Sequence, residues 1–169
     1  PKEAGEKITQ AAKVDIIDWG KLEKRTSIVG YPILPLVEQL SKKVEGDFGQ
    51  FCHWGATTQD IMDTADVLQI RKGLELLSTD LVSISDALVK IIERHIKTPM
   101  SGRTHLQHAL PISFGYKAST WLSGIDRHHK RLEEIKKRVF NVSFFGAAGT
   151  LASLGEDDGL KTQLALAEE

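Results

Sequence analysis

The segment from Asp60 to His95 has the most regular pattern of apolar positions in the chain. Apolar residues recur there at spacings of three and four, and the segment contains no proline and a single glycine, Gly73. A repeat held over more than three heptads predicts one unbroken helix of about 35 residues, roughly 50 Å long, in a bundle or coiled coil. The residues of the repeat are Val67, Ile70, Leu74, Leu77, Leu81, Ile84, Leu88 and Ile91.

Shorter helical patterns flank this helix on both sides. Pro32 and Pro111 suit the first turn of a helix, because proline loses no hydrogen bond there. We therefore predict an all-α fold, in which the long helices of a bundle follow a small helical N-terminal segment, with loops at 45–58 and 97–110. The further predicted helices lie at 3–18 with a break at Gly20, from about Pro32 to Val44, from about Pro111 to Val139, and from Asp157 onward.

Composition and charge exclude several classes of protein. Lys and Arg number 22 against 23 Asp and Glu, and the net charge of -1 argues against a general nucleic-acid or membrane-surface binder. No run of about 18 apolar residues is present, so we expect no membrane span. The first residues do not resemble a signal peptide, and the single Cys52 rules out an internal disulfide framework. The expected compartment is the cytoplasm.

The first loop with candidate chemistry runs from residue 53 to residue 60. The hydroxyls of Thr57 and Thr58 and the amide of Gln59 stand where the long helix begins. Backbone N–H groups at a helix N-terminus are unpaired and carry partial positive charge, so the loop could receive an anion such as a carboxylate. The alternative is that one threonine simply caps the helix, with Asp60 favourable in its first turn.

The second such loop runs from residue 101 to residue 111. Arg103, Thr104, His105, Gln107 and His108 lie within it. A histidine titrates near neutral pH, so one beside an arginine and a hydroxyl suits acid–base work on an anion. The alternative is a hydrogen-bonded structural histidine. No cysteine or carboxylate completes a ligand set with the two histidines, so we predict no metal site.

Three segments together resemble the fumarase/aspartase superfamily of lyases. Residues 53–60 with Asp63 and Thr64 resemble its first characteristic region, and residues 102–111 resemble its second. Residues 145–155 resemble the Gly-rich segment that follows the second long helix. Three matches in the right order, joined by helices of suitable length, make the resemblance specific.

The resemblance implies a reaction and a set of roles. Members of the superfamily break a C–N or C–O bond beside a carboxylate by acid–base chemistry. They use no redox cofactor, act on small dicarboxylate-type anions and assemble as homotetramers whose active sites combine regions from three subunits. Neither nucleic acid nor membrane is an expected partner. By position, Thr104 and His105 are the implied catalytic residues, with His105 as general acid, and the implied substrate-binding residues are His53, Thr57, Thr58, Gln59, Arg103 and Gln107.

The third characteristic region of the superfamily is absent from this sequence. That region is a Gly-Ser-Ser-x-Met-Pro-x-Lys-x-Asn loop whose serine is the general base. We therefore expect a fragment, with part of a helical N-terminal domain at 1–58 and the first part of the central bundle domain, truncated at its C-terminus, at 59–169.

Within the superfamily, the closest resemblance is to 3-carboxy-cis,cis-muconate cycloisomerases, with adenylosuccinate lyases as the alternative. Many adenylosuccinate lyases have a functional histidine where this chain has Gly30 and Tyr31. His105, however, favours an acid step like that of the amine lyases, since some bacterial cycloisomerases lack it. A further alternative is a non-catalytic structural bundle, as in the lens crystallins.

Overall fold

The computed structural model describes residues 1–155 and 157–168. Helices dominate these residues, and the strands among them form one two-stranded antiparallel sheet, which confirms the helical fold class. No helix in the described ranges is both long enough and apolar enough to cross a membrane. The chain divides into two compact units, one formed by Pro1–Asp66 with Val142–Glu169 and the other by Val67–Asn141. The helices are α1 (Lys2–Ala11), α2 (Trp19–Val29), α3 (Ile33–Ser41), α4 (Thr58–His95), α5 (Phe114–Val139) and α6 (Asp158–Glu168).

The N-terminal helices differ from the prediction in their bounds. The first ends at Ala11 and is followed by a 3-10 turn at Val14–Ile16, so the predicted helix over 3–18 is too long. Gly20 lies inside α2 and not at a break, because Asp18 caps that helix by accepting a hydrogen bond from the Lys21 amide at 3.0 Å. A glycine within the first turn of a capped helix is tolerated.

The long helix predicted from the heptad repeat is confirmed. It runs unbroken over Thr58–His95, 38 residues, or about 57 Å at the usual rise. Large aliphatic side chains on several of its faces are exposed, by 36% to 61%. A helix that is apolar on several faces is normally enclosed by other protein. The exposed large aliphatic residues of α4 that lie within the second unit are Leu68, Ile70, Leu76, Leu77, Val82, Ile84 and Val89.

A β-hairpin replaces the predicted loop at 97–110. Strand β1 (Pro99–Thr104) pairs antiparallel with β2 (Gln107–Ser113), and Pro111 lies in β2 opposite Ser101. The prediction that α5 begins near Pro111 is therefore wrong. Ser113 is the actual cap, since its hydroxyl accepts a hydrogen bond from the Tyr116 amide at 3.1 Å. Proline is tolerated in β2 because both strands of a two-stranded sheet are edges.

The base of the hairpin is anchored where α5 meets the end of α4. A Cβ on buried Gly115 would lie 2.8 Å from the Ile96 Cα, so only glycine permits this approach. The Phe114 ring meets the His95 ring edge-on with centroids 5.3 Å apart, and it meets the Trp121 ring at 6.3 Å. These contacts fix the base of the hairpin to α4 and α5 within the second unit.

Candidate active site

The first candidate loop has an unusual backbone conformation. His53 has φ of 63°, in the left-handed region, and its Nε2 is buried with no hydrogen-bond partner among the described residues. Gly55, with φ of 78°, lies against the Leu154 side chain, which a Cβ would meet at 2.8 Å. A buried imidazole nitrogen without a partner costs free energy, so the loop holds His53 in this position at an energetic cost.

The two threonines stand at the start of α4 with their hydroxyls uncommitted. Both residues are half-buried, and neither hydroxyl makes a hydrogen bond to the part of the chain that the structure describes. The Thr57 amide instead donates to Asp60 Oδ2 at 3.0 Å, which is one half of a capping box. Thr57 thus precedes the helix without capping it by its side chain. The two hydroxyls and the first-turn amides can therefore donate hydrogen bonds to an anion.

Asp60 joins this loop to the Gly-rich segment. Its side chain is buried, and its carboxylate accepts hydrogen bonds from the amides of Phe145 and Gly146, each at 3.0 Å. One turn further along α4, the Thr64 hydroxyl lies 3.2 Å from the Ser143 carbonyl oxygen. The structure therefore brings two of the three resembling segments together within one unit. Sequence reasoning gave Asp60 only a favourable charge in the first turn, although its spacing from Thr57 fits a capping box.

Gln59 is held on the helix surface. Its side-chain amide donates to the Asp63 carboxylate, one turn along α4, and the side chain is exposed. A place for Gln59 beside a substrate carboxylate remains a prediction.

The second candidate loop is the turn of the β-hairpin. Thr104 pairs with Gln107, leaving His105 and Leu106 at the tip. Leu106 has φ of 56° and is 93% exposed. The pairing register shifts between Ser101 and Arg103, a β-bulge that twists the strand. The hairpin thus presents its polar side chains outward.

The two histidines of the hairpin differ in their partners. His108 Nδ1 lies 2.9 Å from the Ser101 hydroxyl across the hairpin, which fits the structural role considered above. The exposed His105 imidazole makes no hydrogen bond to the described residues, so it remains available to a ligand. A hollow of about 290 Å³ on the hairpin is lined by Arg103, Thr104, Leu106, Gln107 and His108, and His105 is not among its lining residues. The hairpin and the loop at 53–60 belong to different units.

Among the described residues, no group of three or more His, Cys, Asp and Glu side chains has an arrangement that could hold a metal ion.

Comparison with known proteins decides the family. A sequence model of the family described as lyase matches residues 6–167. The chain belongs to the fumarase/aspartase superfamily of lyases.

Its relatives have varied activities. Trans-aconitate decarboxylase 1 of Mycosarcoma maydis is 45% identical over 168 residues, 99% of this chain and 34% of that protein. The 3-carboxy-cis,cis-muconate cycloisomerase of Pseudomonas aeruginosa is 40% identical over 172 residues, 100% of this chain and 37% of that enzyme. The crystal structure of a fumarate lyase from a Mesorhizobium species is 58% identical with a TM-score of 0.94, covering 99% of this chain and 39% of that one. The chain thus spans little more than a third of the length of these relatives.

Backbone strain in this superfamily chain coincides with the resembling segments. Among the described residues, the non-glycine residues with positive φ are His53, Leu106 and Leu151. One lies in the loop at 53–60, one in the hairpin and one in the Gly-rich segment. Such conformations each cost about 1–3 kcal/mol and cluster at functional sites. Their placement supports a functional role for all three segments.

Proposed function

We propose that the full-length protein is an enzyme that performs acid–base elimination or addition beside a carboxylate of a small unsaturated polycarboxylate. The best candidate is a reaction like that of 3-carboxy-cis,cis-muconate cycloisomerase. The observation that carries the proposal is the pair of uncommitted hydroxyls on Thr57 and Thr58 at the N-terminus of α4. Carboxymuconate, aconitate and fumarate, which the names of the relatives contain, are all unsaturated polycarboxylates.

The first loop is the proposed carboxylate receptor. The hydroxyls of Thr57 and Thr58 donate hydrogen bonds to one substrate carboxylate, and the positive end of α4 favours the negative charge of that carboxylate. His53, whose Nε2 has no partner among the described residues, and Gln59 are the other members of the proposed receptor. Donors that converge on a carboxylate also stabilise the additional charge that develops when its α-carbon loses a proton.

The hairpin is the proposed source of the acid. His105 protonates the leaving group and Thr104 lies next to it, while Arg103 and Gln107 bind the substrate from the adjoining hollow. Carbon-acid deprotonation also needs a base within about 2.6–3.2 Å of the proton. Neither loop supplies an activated one, so we assign the base to a segment of the full-length protein other than these 169 residues.

A C–N lyase that releases fumarate is the second candidate. His105 supports it, because an amine leaving group needs a proton donor. The fumarate lyase that is 58% identical to this chain supports it as well.

We also propose that the protein is a homo-oligomer, a tetramer in its complete form. The support is α4, whose large aliphatic side chains remain exposed along the second unit. Apolar surface of that extent is typical of helices enclosed in an assembly.

The test uses the full-length protein and ultraviolet absorbance. Turnover of carboxymuconate favours the first candidate, and turnover of adenylosuccinate or argininosuccinate favours the second. His105→Ala should lower kcat by roughly 10²–10⁴-fold, the usual contribution of a positioned acid. His128→Ala, which alters an exposed histidine on α5, should leave kcat unchanged, and the 169-residue chain alone should show no turnover. Near-normal kcat in His105→Ala would refute its role, and no turnover of any of the three substrates would refute the proposed function.

A further inference from the structure

Asp60 is the most completely buried charged side chain among the described residues, with 3% exposure. Its Oδ2 accepts hydrogen bonds from the amides of Thr57 and Gly146, and its Oδ1 accepts one from the amide of Phe145, all at 3.0 Å. A buried carboxylate is tolerated only when hydrogen bonds replace the water that it has lost. Three backbone donors perform that replacement here.

The donors come from two segments that are far apart in sequence. Thr57 precedes Asp60 by three residues, whereas Phe145 and Gly146 follow it by 85 and 86 residues. One side chain therefore fixes the loop at 53–58 against the Gly-rich segment. The glycine conformations on both sides agree with this close approach, because a Cβ on Gly146 would lie 3.2 Å from the Gly55 carbonyl oxygen.

We infer that Asp60 is a positioning residue for the proposed carboxylate receptor. By holding the Thr57 amide and the Gly-rich segment, it fixes the direction in which the hydroxyls of Thr57 and Thr58 point. The inference rests on the proposed function, since it assigns Asp60 no contact with the substrate. A carboxylate is required because all three partners are donors. An asparagine would place an NH2 group against at least one of them.

The first experiment compares Asp60→Asn with Asp66→Asn in the full-length protein. Asp66 is an exposed aspartate on the same helix, so its variant makes the same chemical change outside the cluster. Hydrogen exchange of peptides that contain Phe145 and Gly146 should be at least about tenfold faster in Asp60→Asn, because a hydrogen bond to a charged group is lost. Fumarate affinity, measured by calorimetry, should fall about tenfold, because the hydroxyls of Thr57 and Thr58 lose the orientation that Asp60 imposes on them.

Steady-state kinetics distinguish a positioning role from a merely structural one. With whichever substrate the protein turns over, KM should rise about tenfold in Asp60→Asn, because the receptor binds the substrate less well, and kcat should fall as well, because the same donors stabilise the charge that develops on that carboxylate. A purely structural loss would lower the active fraction, and with it kcat, but would leave KM unchanged. Asp66→Asn should match the unsubstituted protein in exchange, affinity and kinetics.

A second pair of variants approaches the same contact from the other side. Gly146→Ala strains a residue with φ of 72° and adds a Cβ that lies 3.2 Å from the Gly55 carbonyl oxygen, so it moves the Gly146 amide while keeping Asp60. Gly149→Ala introduces comparable strain, at φ of 74°, where a Cβ meets nothing within 4 Å. Only Gly146→Ala should weaken fumarate binding. The two glycine variants test the positioning role of Asp60 even if Asp60→Asn does not fold.

Each outcome bears on a different claim. Unchanged exchange in Asp60→Asn would overturn the hydrogen-bond cluster. Faster exchange with unchanged fumarate affinity and KM would overturn the positioning role, as would equal binding losses in the two glycine variants. Native exchange protection in an unsubstituted protein that neither binds fumarate nor turns over a polycarboxylate would overturn the proposed function, and the positioning role with it, but would leave the cluster intact.

Discussion

The exposed aliphatic side chains of α4 predict that charges placed among them will dissociate the protein. Leu77 and Ile84 lie seven residues apart on one side of the helix and are 53% and 44% exposed. We choose the double variant Leu77→Asp/Ile84→Asp as the perturbation. The helix itself should persist, because an exposed aspartate is only modestly unfavourable within a helix.

The magnitude follows from the area that each side chain still exposes. Complete burial of a leucine or isoleucine contributes about 1.5–3 kcal/mol, so a half-exposed one still has about 1 kcal/mol to gain in an interface. The double variant loses about 2 kcal/mol of this gain per chain. Desolvation of the new carboxylates adds at least a similar amount. A total near 4 kcal/mol corresponds to about a thousandfold weaker association.

Sedimentation velocity of the full-length protein at micromolar concentrations measures this effect. The unsubstituted protein should sediment as an oligomer and the double variant as a smaller species. Ser83→Asp, which adds one such charge at an exposed polar position of α4, is the control and should retain the oligomer. An unchanged mass for the double variant would refute the assignment of this face to an interface between copies.

Two further predictions concern the described residues directly. Gly102→Ala should destabilise the fold by about 1–3 kcal/mol, since its Cβ would lie 2.5 Å from a carbonyl oxygen of β2, whereas Gly73→Ala meets nothing within 4 Å and should stabilise α4 by about 0.5–1 kcal/mol. Thermal denaturation measures both effects, and a shift of Tm in the same direction in Gly102→Ala and Gly73→Ala would contradict these two predictions. The Lys7 ammonium, 2.7 Å from Glu45, holds the pKa of that carboxyl below its ordinary value. The contribution of the Lys7–Glu45 ion pair to stability is therefore present above the unfolded pKa of Glu45 and is lost as pH falls through the folded pKa. An NMR titration should find the Glu45 pKa higher in Lys7→Met.

The sequence was sufficient where local pattern alone determines structure. The heptad repeat predicted α4 to within two residues at its start and with the correct end, because an uninterrupted apolar repeat has few other solutions. The family segments were recognised for the same reason, since their residues are contiguous. Asp60 was missed because its partners Phe145 and Gly146 lie more than 80 residues away, beyond the reach of a local pattern.

The hairpin was missed because its turn lacks the usual signal. Two-residue hairpin turns favour asparagine and glycine, which accept positive φ readily, but here the turn contains His105 and Leu106. Pro111 suggested a helix start, whereas tertiary context placed it in an edge strand and left Ser113 to cap α5.

At position 106, selection for a high cellular protein level and selection for enzymatic activity should favour different residues. The left-handed backbone of Leu106 costs roughly 1–2 kcal/mol relative to glycine, and its 93% exposed side chain fills no space within this chain. A library of variants sorted only by cellular protein level would therefore enrich glycine or asparagine at this position. A leucine retained at this position would need a favourable contact outside the isolated chain, such as one with a substrate or a neighbouring subunit. Position 106 is thus a place where engineering for thermal resistance and engineering for turnover would select different residues.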